Sequence, residues 1–284
     1  MSHVKTKCLG YILCTFLLCC GLHSAAAPSP SQAPAPTQAQ SQNAGADLMI
    51  SDSPYYIERA IGGAKLEDPL PMLVLLHGRA DTPEVMLRAF ANVHAPARLI
   101  VPRGVPLDSV PVGPFNHGFG WWSIHTRVAD EQSFGAAAAE ASRRMGVFIH
   151  RLLREKPTLG KPVLVGFSQG AIITYTISVQ EPDLLSIAFP LSGMLPLPLI
   201  PEAWPAGKPK PIIHAFHGVR DPVVRIDQDR ESVSRLKTLG VPATLREYPA
   251  LVHAFGPLEI IDVVREVDEA LRHEAASPRN SGNG

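Results

Sequence analysis

The chain has 284 residues, 45% of them hydrophobic and 18% charged, which is ordinary for a protein able to bury a full core. Formal charge is zero, with 26 basic and 26 acidic residues and no basic stripe, so nucleic acid is not an expected partner. At this length an alternating helix and strand protein usually stays a single domain.

The first segment carries export information. Lys5 and Lys7 precede an apolar run from Cys8 to Leu22, followed by Ser24-Ala25-Ala26-Ala27. This is the basic, apolar, small-residue layout of a secretory signal peptide, and the run is short for a membrane span. Cleavage after Ala26 is preferred, because cutting after Ala27 would leave Pro28 beside the scissile bond. Residues 1–26 are therefore read as a signal peptide and the mature protein as secreted or periplasmic. A lipid-modified Cys20 is the alternative and the one route to a membrane, but Leu17 to Cys19 puts bulky residues where small ones are wanted. All four cysteines (Cys8, Cys14, Cys19, Cys20) fall inside the leader, so the mature chain would have neither disulfides nor thiolate metal sites. Removing residues 1–26 discards two lysines and no acid, leaving 24 basic against 26 acidic residues. Residues 27–47, rich in Pro, Ala and Gln, bury too little to offset chain ordering and are expected to be a disordered linker. The folded domain is placed at 48–275 and a polar, disordered tail at 276–284.

Within the domain, strands and helices alternate. Met72 to Leu76 is a continuous apolar run, as in a strand buried on both faces, and enters His77-Gly78. Thr82 and Pro83 open a helix. Arg98 to Val101 is a short strand stopped by Pro102. Asp130 to Glu155 is a long helix with Met145, Phe148, Ile149, Leu152 and Leu153 at helical spacing. Val163 to Val165 leads to Gly166-Phe167-Ser168-Gln169-Gly170, and a helix-compatible stretch follows. Further strands are expected at 186–191, 211–216 and 244–248, with helices at 227–239 and 258–273. This alternation predicts an α/β fold, a mostly parallel central sheet with helices on both faces and ligands bound beyond the carboxyl ends of the strands.

A serine between glycines on a strand-to-helix turn is the pattern of a nucleophile elbow. Alone the pattern is weak, with roughly one chance match expected in ten chains of this size. The strand before it and the helix after it make Ser168 the candidate nucleophile. A serine hydroxyl needs a base, and the base an orienting carboxylate, in the chain order Ser, acid, His. Asp221 follows the strand IIHAF directly. Asp183 lies at the far end of the helix after the elbow, and Asp227 and Asp229 are assigned to a solvated helix start. His253 lies in the loop after the last strand, whereas His273 ends a charged helix. The triad is therefore Ser168, Asp221 and His253. His77 and His217, each before a glycine at a strand end, are expected to hydrogen-bond loops. The oxyanion hole is assigned to the backbone N–H groups of Gln169 and Arg79.

LLHGRADT, GFSQGA, LSGMLP and HGVRDPVV, with a final loop histidine, resemble the phospholipase/carboxylesterase family of small α/β-hydrolases, which includes acyl-protein thioesterases. The resemblance spans about residue 55 to residue 273. It implies the same triad and oxyanion donors, and no separate lid domain. The sequence departs from the family at Ala80, where a second glycine is usual, at Arg225, where proline is common, and at Ala250-Leu251-Val252, where the approach to the histidine is often glycine-rich. Gly104 to Ile124 forms the longest loop beside the site, with Phe115, Phe119, Trp121 and Trp122 as four aromatics in eight residues. Phe119, Trp121 and Trp122 are candidate substrate-pocket walls, and packing of the loop onto a helix is the equal alternative. His117 and His125 are expected to be solvated. Leu195 to Pro209, with five prolines, is expected to be a stiff second wall.

The leading functional expectation is an exported serine hydrolase cleaving carboxylic esters of small molecules or lipids, without metal or organic cofactor. Thioesterase or lysophospholipase activity is the runner-up, and polysaccharide deacetylation and feruloyl ester cleavage are open. A silent binding module on a hydrolase fold is the alternative of another class.

Overall fold

The computed structural model describes residues 51–107, 118–122 and 130–280. All of them fall in one compact unit, Ala46–Gly284. The expected leader and linker, Phe115, His117 and His125 lie outside the described residues.

A central sheet runs in the order β1 (Tyr56–Ile61), β3 (Ala97–Pro102), β2 (Leu70–Leu76), β6 (Thr158–Phe167), β7 (Ile187–Leu191), β8 (Ile212–Gly218) and β9 (Ala243–Tyr248). From β3 to β9 every pairing is parallel, and β1 joins β3 antiparallel. Burial on both faces explains the unbroken apolar runs. In β2, Met72, Val74 and Leu76 enter one core layer while Leu73 and Leu75 enter another, as the period of two requires. The first layer is closed by α2 (Glu131–Glu155) and α3 (Gln169–Gln180), the second by α1 (Pro83–Ala89) and α5 (Pro257–Ala275). A third cluster packs α3 and α4 (Ile226–Thr238) onto β8. The α/β-hydrolase architecture expected from the alternation is present.

Helix ends follow local chemistry in part. Asp130 caps α2, its side chain accepting from the Ser133 N–H at 2.8 Å. Thr82 precedes Pro83 of α1 as expected, but its hydroxyl caps no helix N–H.

Three features were not legible. β1 has no strong alternation; it is held to β3 partly by Arg98, which is buried and bonded to Glu58 at 2.6 Å and to the Leu66 carbonyl at 2.7 Å. A two-strand ribbon, β4 (Val105–Pro106) with β5 (Phe119–Gly120), closes the base of the long loop. The tail, expected to be disordered from residue 276, supplies β10 (Arg279–Asn280), antiparallel to Thr158-Leu159 of β6. Polar composition there does not prevent pairing, because the ladder is made by backbone groups.

Candidate active site

The strand β6 ends at Phe167 and α3 starts at Gln169, so Ser168 alone makes the turn. It does so at φ 54°, ψ −116°, a left-handed backbone that costs a non-glycine residue about 1–3 kcal/mol. The turn lifts the side chain above the carboxyl end of the sheet, where Ser168 is half-buried.

Two loops from neighbouring strands reach it. His253, after β9, has Nε2 2.9 Å from Ser168 Oγ and Nδ1 2.6 Å from Asp221 Oδ2. Asp221, after β8, is buried, and its Oδ1 accepts from the N–H groups of Val223 at 2.8 Å and Val224 at 2.9 Å. Burial alone would raise the Asp221 pKa, but the bonds from His217, His253 and Val223 hold it well below the usual carboxylate range. An ionised Asp221 accepts the Nδ1 proton, which leaves Nε2 free to accept from the serine hydroxyl. The geometry can therefore move a proton from Ser168 to His253. His273 is exposed and Asp183 and Asp227 form exposed ion pairs, so these two acids and this base stand apart from the line.

The loop after β2 lies against the elbow: a Cβ added at Gly78 would stand 3.4 Å from Ser168 Cβ. Among the described residues, neither the Arg79 nor the Gln169 backbone N–H donates to a protein acceptor. His77 fixes this loop. Its Nδ1 is 2.7 Å from the Gly78 carbonyl and must donate, while Nε2, 3.1 Å away, accepts from the Gly104 N–H. That is a neutral tautomer, and burial pushes the His77 pKa down to about 4. Its expected loop-bonding role holds. Ala80, where family members usually carry glycine, takes φ 62°. Among the described residues the Arg79 guanidinium has no acceptor for its buried Nε and Nη2, and burial lowers its pKa.

Trp121 and Trp122 do not line an open pocket. Both are wholly buried in the layer beneath α2. Trp121 stacks on His77 with centroids 4.5 Å apart and donates Nε1–H to the His77 carbonyl at 2.7 Å. Trp122 meets Phe134 edge-on at 5.8 Å. The cause is the Gln169 side chain, whose Oε1 accepts from the Trp121 N–H at 3.1 Å while Nε2 donates to the Trp122 carbonyl at 3.3 Å. This clamp pulls the loop down onto the elbow. Phe119 remains partly exposed under the Arg103 guanidinium, which lies 4.8 Å from its ring centre. Truncating Gln169 to alanine strips partners from two buried backbone groups, each worth about 1–3 kcal/mol when left unpaired. The expected outcome is a thermal midpoint several degrees below wild type, read by circular dichroism; an unchanged midpoint would show that water or repacking replaces the clamp.

One acid departs from its expected place. Asp229, assigned to a solvated helix start, is fully buried, with Tyr175 and His217 as its partners. The available clue was that Ile226, Asp229, Val233 and Leu236 share one buried stripe of α4, so position 229 points inward.

Cavities flank the sheet among the described residues. One of about 690 Å³, lined by Ser186, Ile212 and Thr244 among others, is at the amino ends of the strands, opposite Ser168. One of about 410 Å³ is lined by Phe134, Met194 to Pro198 and the acids Glu131, Asp227 and Glu231. Among the described residues no group of three or more His, Cys, Asp or Glu is gathered as a metal site requires, and no helix is long and apolar enough to cross a membrane.

The fold and the serine elbow define an α/β-hydrolase of the serine hydrolase class. Residues 64–269 match the model of the Phospholipase/Carboxylesterase family, and the chain belongs to that family. It is 30% identical to an acyl-protein thioesterase 1 of Aspergillus fumigatus over 192 residues, covering 61% of this chain and 79% of the relative. With an acyl-protein thioesterase 1 of Gibberella zeae it shares 24% identity, covering 73% and 92%. Among solved structures, esterase PE8 superposes with a TM-score of 0.62 at 21% identity, covering 76% of this chain and 98% of the other. Acyl-protein thioesterase 2 of Zea mays gives 0.55 at 22%, covering 77% and 99%.

Proposed function

We propose that the protein is an exported serine esterase acting through a Ser168–His253–Asp221 triad. The observation that carries the reading is the unbroken line of two hydrogen bonds, 2.9 Å and 2.6 Å, joining three residues from separate loops above one sheet edge. Ser168 Oγ attacks the ester carbonyl as His253 Nε2 takes its proton, and the Asp221 carboxylate supports the resulting imidazolium. The tetrahedral oxyanion forms where the Arg79 and Gln169 N–H groups lack protein acceptors. Collapse returns the proton from His253 to the departing alcohol and leaves an acyl-serine. Water, deprotonated by His253, then releases the acid and restores Ser168.

The second reading is thioester or lysophospholipid hydrolysis, supported by relatives named acyl-protein thioesterases. A thiol leaves more readily than an alcohol, so it needs less proton donation from His253. A fluorophosphonate probe should label Ser168, and Ser168→Ala should stay unlabelled. A folded wild-type protein that does not react would favour the binding-module alternative. Substrate class is separated by a panel of p-nitrophenyl esters of increasing acyl length, acyl-thioesters and lysophospholipids. One arm should carry a carboxylate on the acyl chain, because the Arg79 guanidinium has two buried nitrogens without an acceptor among the described residues. Alkyl esters turning over faster than thioesters is the expected result; the reverse order would transfer the assignment to thioesterase. Export is tested by the mature amino terminus, expected at Ala27; a lipidated Cys20 would instead establish a membrane anchor.

A further inference from the structure

Behind Asp221 lies a second buried chain of hydrogen bonds that the triad does not use. Tyr175 of α3 donates its hydroxyl to Asp229 Oδ1 at 2.5 Å. Asp229 Oδ2 is 2.7 Å from His217 Nδ1, and His217 Nε2 is 2.9 Å from the Val224 carbonyl and 3.4 Å from Asp221 Oδ2. The side chains of His217, Asp221 and Asp229 are all fully buried. A carbonyl oxygen only accepts, so His217 Nε2 carries a proton. Nδ1 faces a carboxylate that already accepts from Tyr175. Two buried carboxylates, Asp221 and Asp229, thus flank one imidazole, and a neutral ring would leave both anions without a counter-charge.

We propose that His217 is a positioning residue held as an imidazolium, tying the orienting Asp221 to the Asp229–Tyr175 pair and moderating how strongly Asp221 favours a proton on His253. The inference rests on the triad reading. It extends the loop-bonding role expected of His217: the bond to Val224 is such a contact, but Nδ1 bonds to Asp229 and Nε2 stands 3.4 Å from the Asp221 carboxylate. Burial alone would lower the His217 pKa, yet the neighbouring carboxylates of Asp221 and Asp229 outweigh it and hold it up at about 10. Asp229 itself is raised, because burial outweighs the lowering by His217, so both partners of this pair are shifted toward holding the proton. The proton is placed on His217 because both neighbouring acids favour it there and Tyr175 donates to Asp229.

Other titratable groups act on the same centre. Glu259, buried in the first turn of α5, has its pKa pushed up to about 7 by burial and is influenced by both His217 and Asp221. Glu247 of β9 feels the His217 charge, and Asp81 faces His253 from the loop after β2. A cation behind Asp221 weakens its pull on the proton of His253. Removing that cation strengthens the pull, so the acid limb of the kcat/KM profile moves to higher pH.

The test uses Asp229→Asn, which keeps the shape and the Tyr175 contact, and His217→Gln, which can still donate to Val224. Both are assayed on a p-nitrophenyl ester from pH 5 to 9, with Glu259→Gln as a control for the nearby acid. The acid limb is expected to rise by about half to one pH unit in the first two, the size of one buried charge separation at an effective dielectric of roughly 20. KM should change less than kcat, and Glu259→Gln should not reproduce the shift. Nitrogen-15 spectra of wild type at pH 8 should show protons on both His217 ring nitrogens, a readout that needs no variant to fold. A bare Nδ1, or a folded Asp229→Asn with an unmoved limb, overturns the proposal. The Ser168→Ala control separates the two levels. Turnover surviving it removes the triad and the role of His217 together, whereas an unmoved limb in a Ser168-dependent enzyme removes only the latter.

Discussion

Ser168→Ala is expected to lower kcat for a p-nitrophenyl ester by about 10⁴- to 10⁶-fold, the scale on which removing a triad nucleophile acts. The size follows from the arrangement. His253 Nε2 has Ser168 Oγ as its partner at 2.9 Å, and no other hydroxyl in the described residues is bonded to it. Without that oxygen no acyl-enzyme forms, and only attack by water positioned by His253 remains. The fold should persist, because alanine keeps the same backbone at φ 54° and loses one half-buried hydroxyl. Steady-state kinetics beside a thermal melt decide the matter: activity within tenfold of wild type in a folded variant would remove Ser168 from the chemistry.

Gly170→Ala should act on the molecule itself. A Cβ there would stand 2.3 Å from the Leu76 carbonyl oxygen, and one at Gly166 would stand 2.1 Å from the Gly170 carbonyl oxygen. Both obstacles are backbone in the central sheet and the elbow helix, so neither can swing away like a side chain. Relief requires separating α3 from β2 and β6 at the tightest point of the core. Overpacking of this kind costs about 3 kcal/mol or more, which for a domain of this size lowers the melting point by roughly 6–12 °C. Insoluble expression is the expected extreme. A Gly170→Ala protein melting with wild type would show that the elbow has slack that these contacts deny. Gly166→Ala should behave alike, since it meets the same turn from the strand side.

Several elements could be read from local pattern because local pattern is what forms them. Met72 to Leu76 has to be a doubly buried strand, since five apolar residues in a row leave no face for water. The long α2 follows from its spacing of apolar residues and its Asp130 cap. The glycines beside Ser168 report a turn too tight for side chains, and chain order together with placement after strand ends narrows the acid and the base to Asp221 and His253.

Other features depend on partners far along the chain, and no window of sequence contains them. Asp229 looks solvated among Asp227, Gln228 and Arg230, and becomes a core residue only because Tyr175 and His217 meet it there. Trp121 and Trp122 could have faced substrate or packed inward, until the amide of Gln169, 48 and 47 residues away, bound their backbone and buried them. The edge strand β1 and the short β10 are paired by backbone ladders that depend little on composition, with the Arg98–Glu58 pair added at β1. The amino-acid sequence by itself determined the parallel α/β frame, the elbow and the candidate trio, because burial periodicity, glycine sterics and strand-end placement are local or ordinal properties. Tertiary structure alone decided which polar groups are buried and which aromatics are hidden, because the free energy of burying a charge or a ring depends on what stands opposite it.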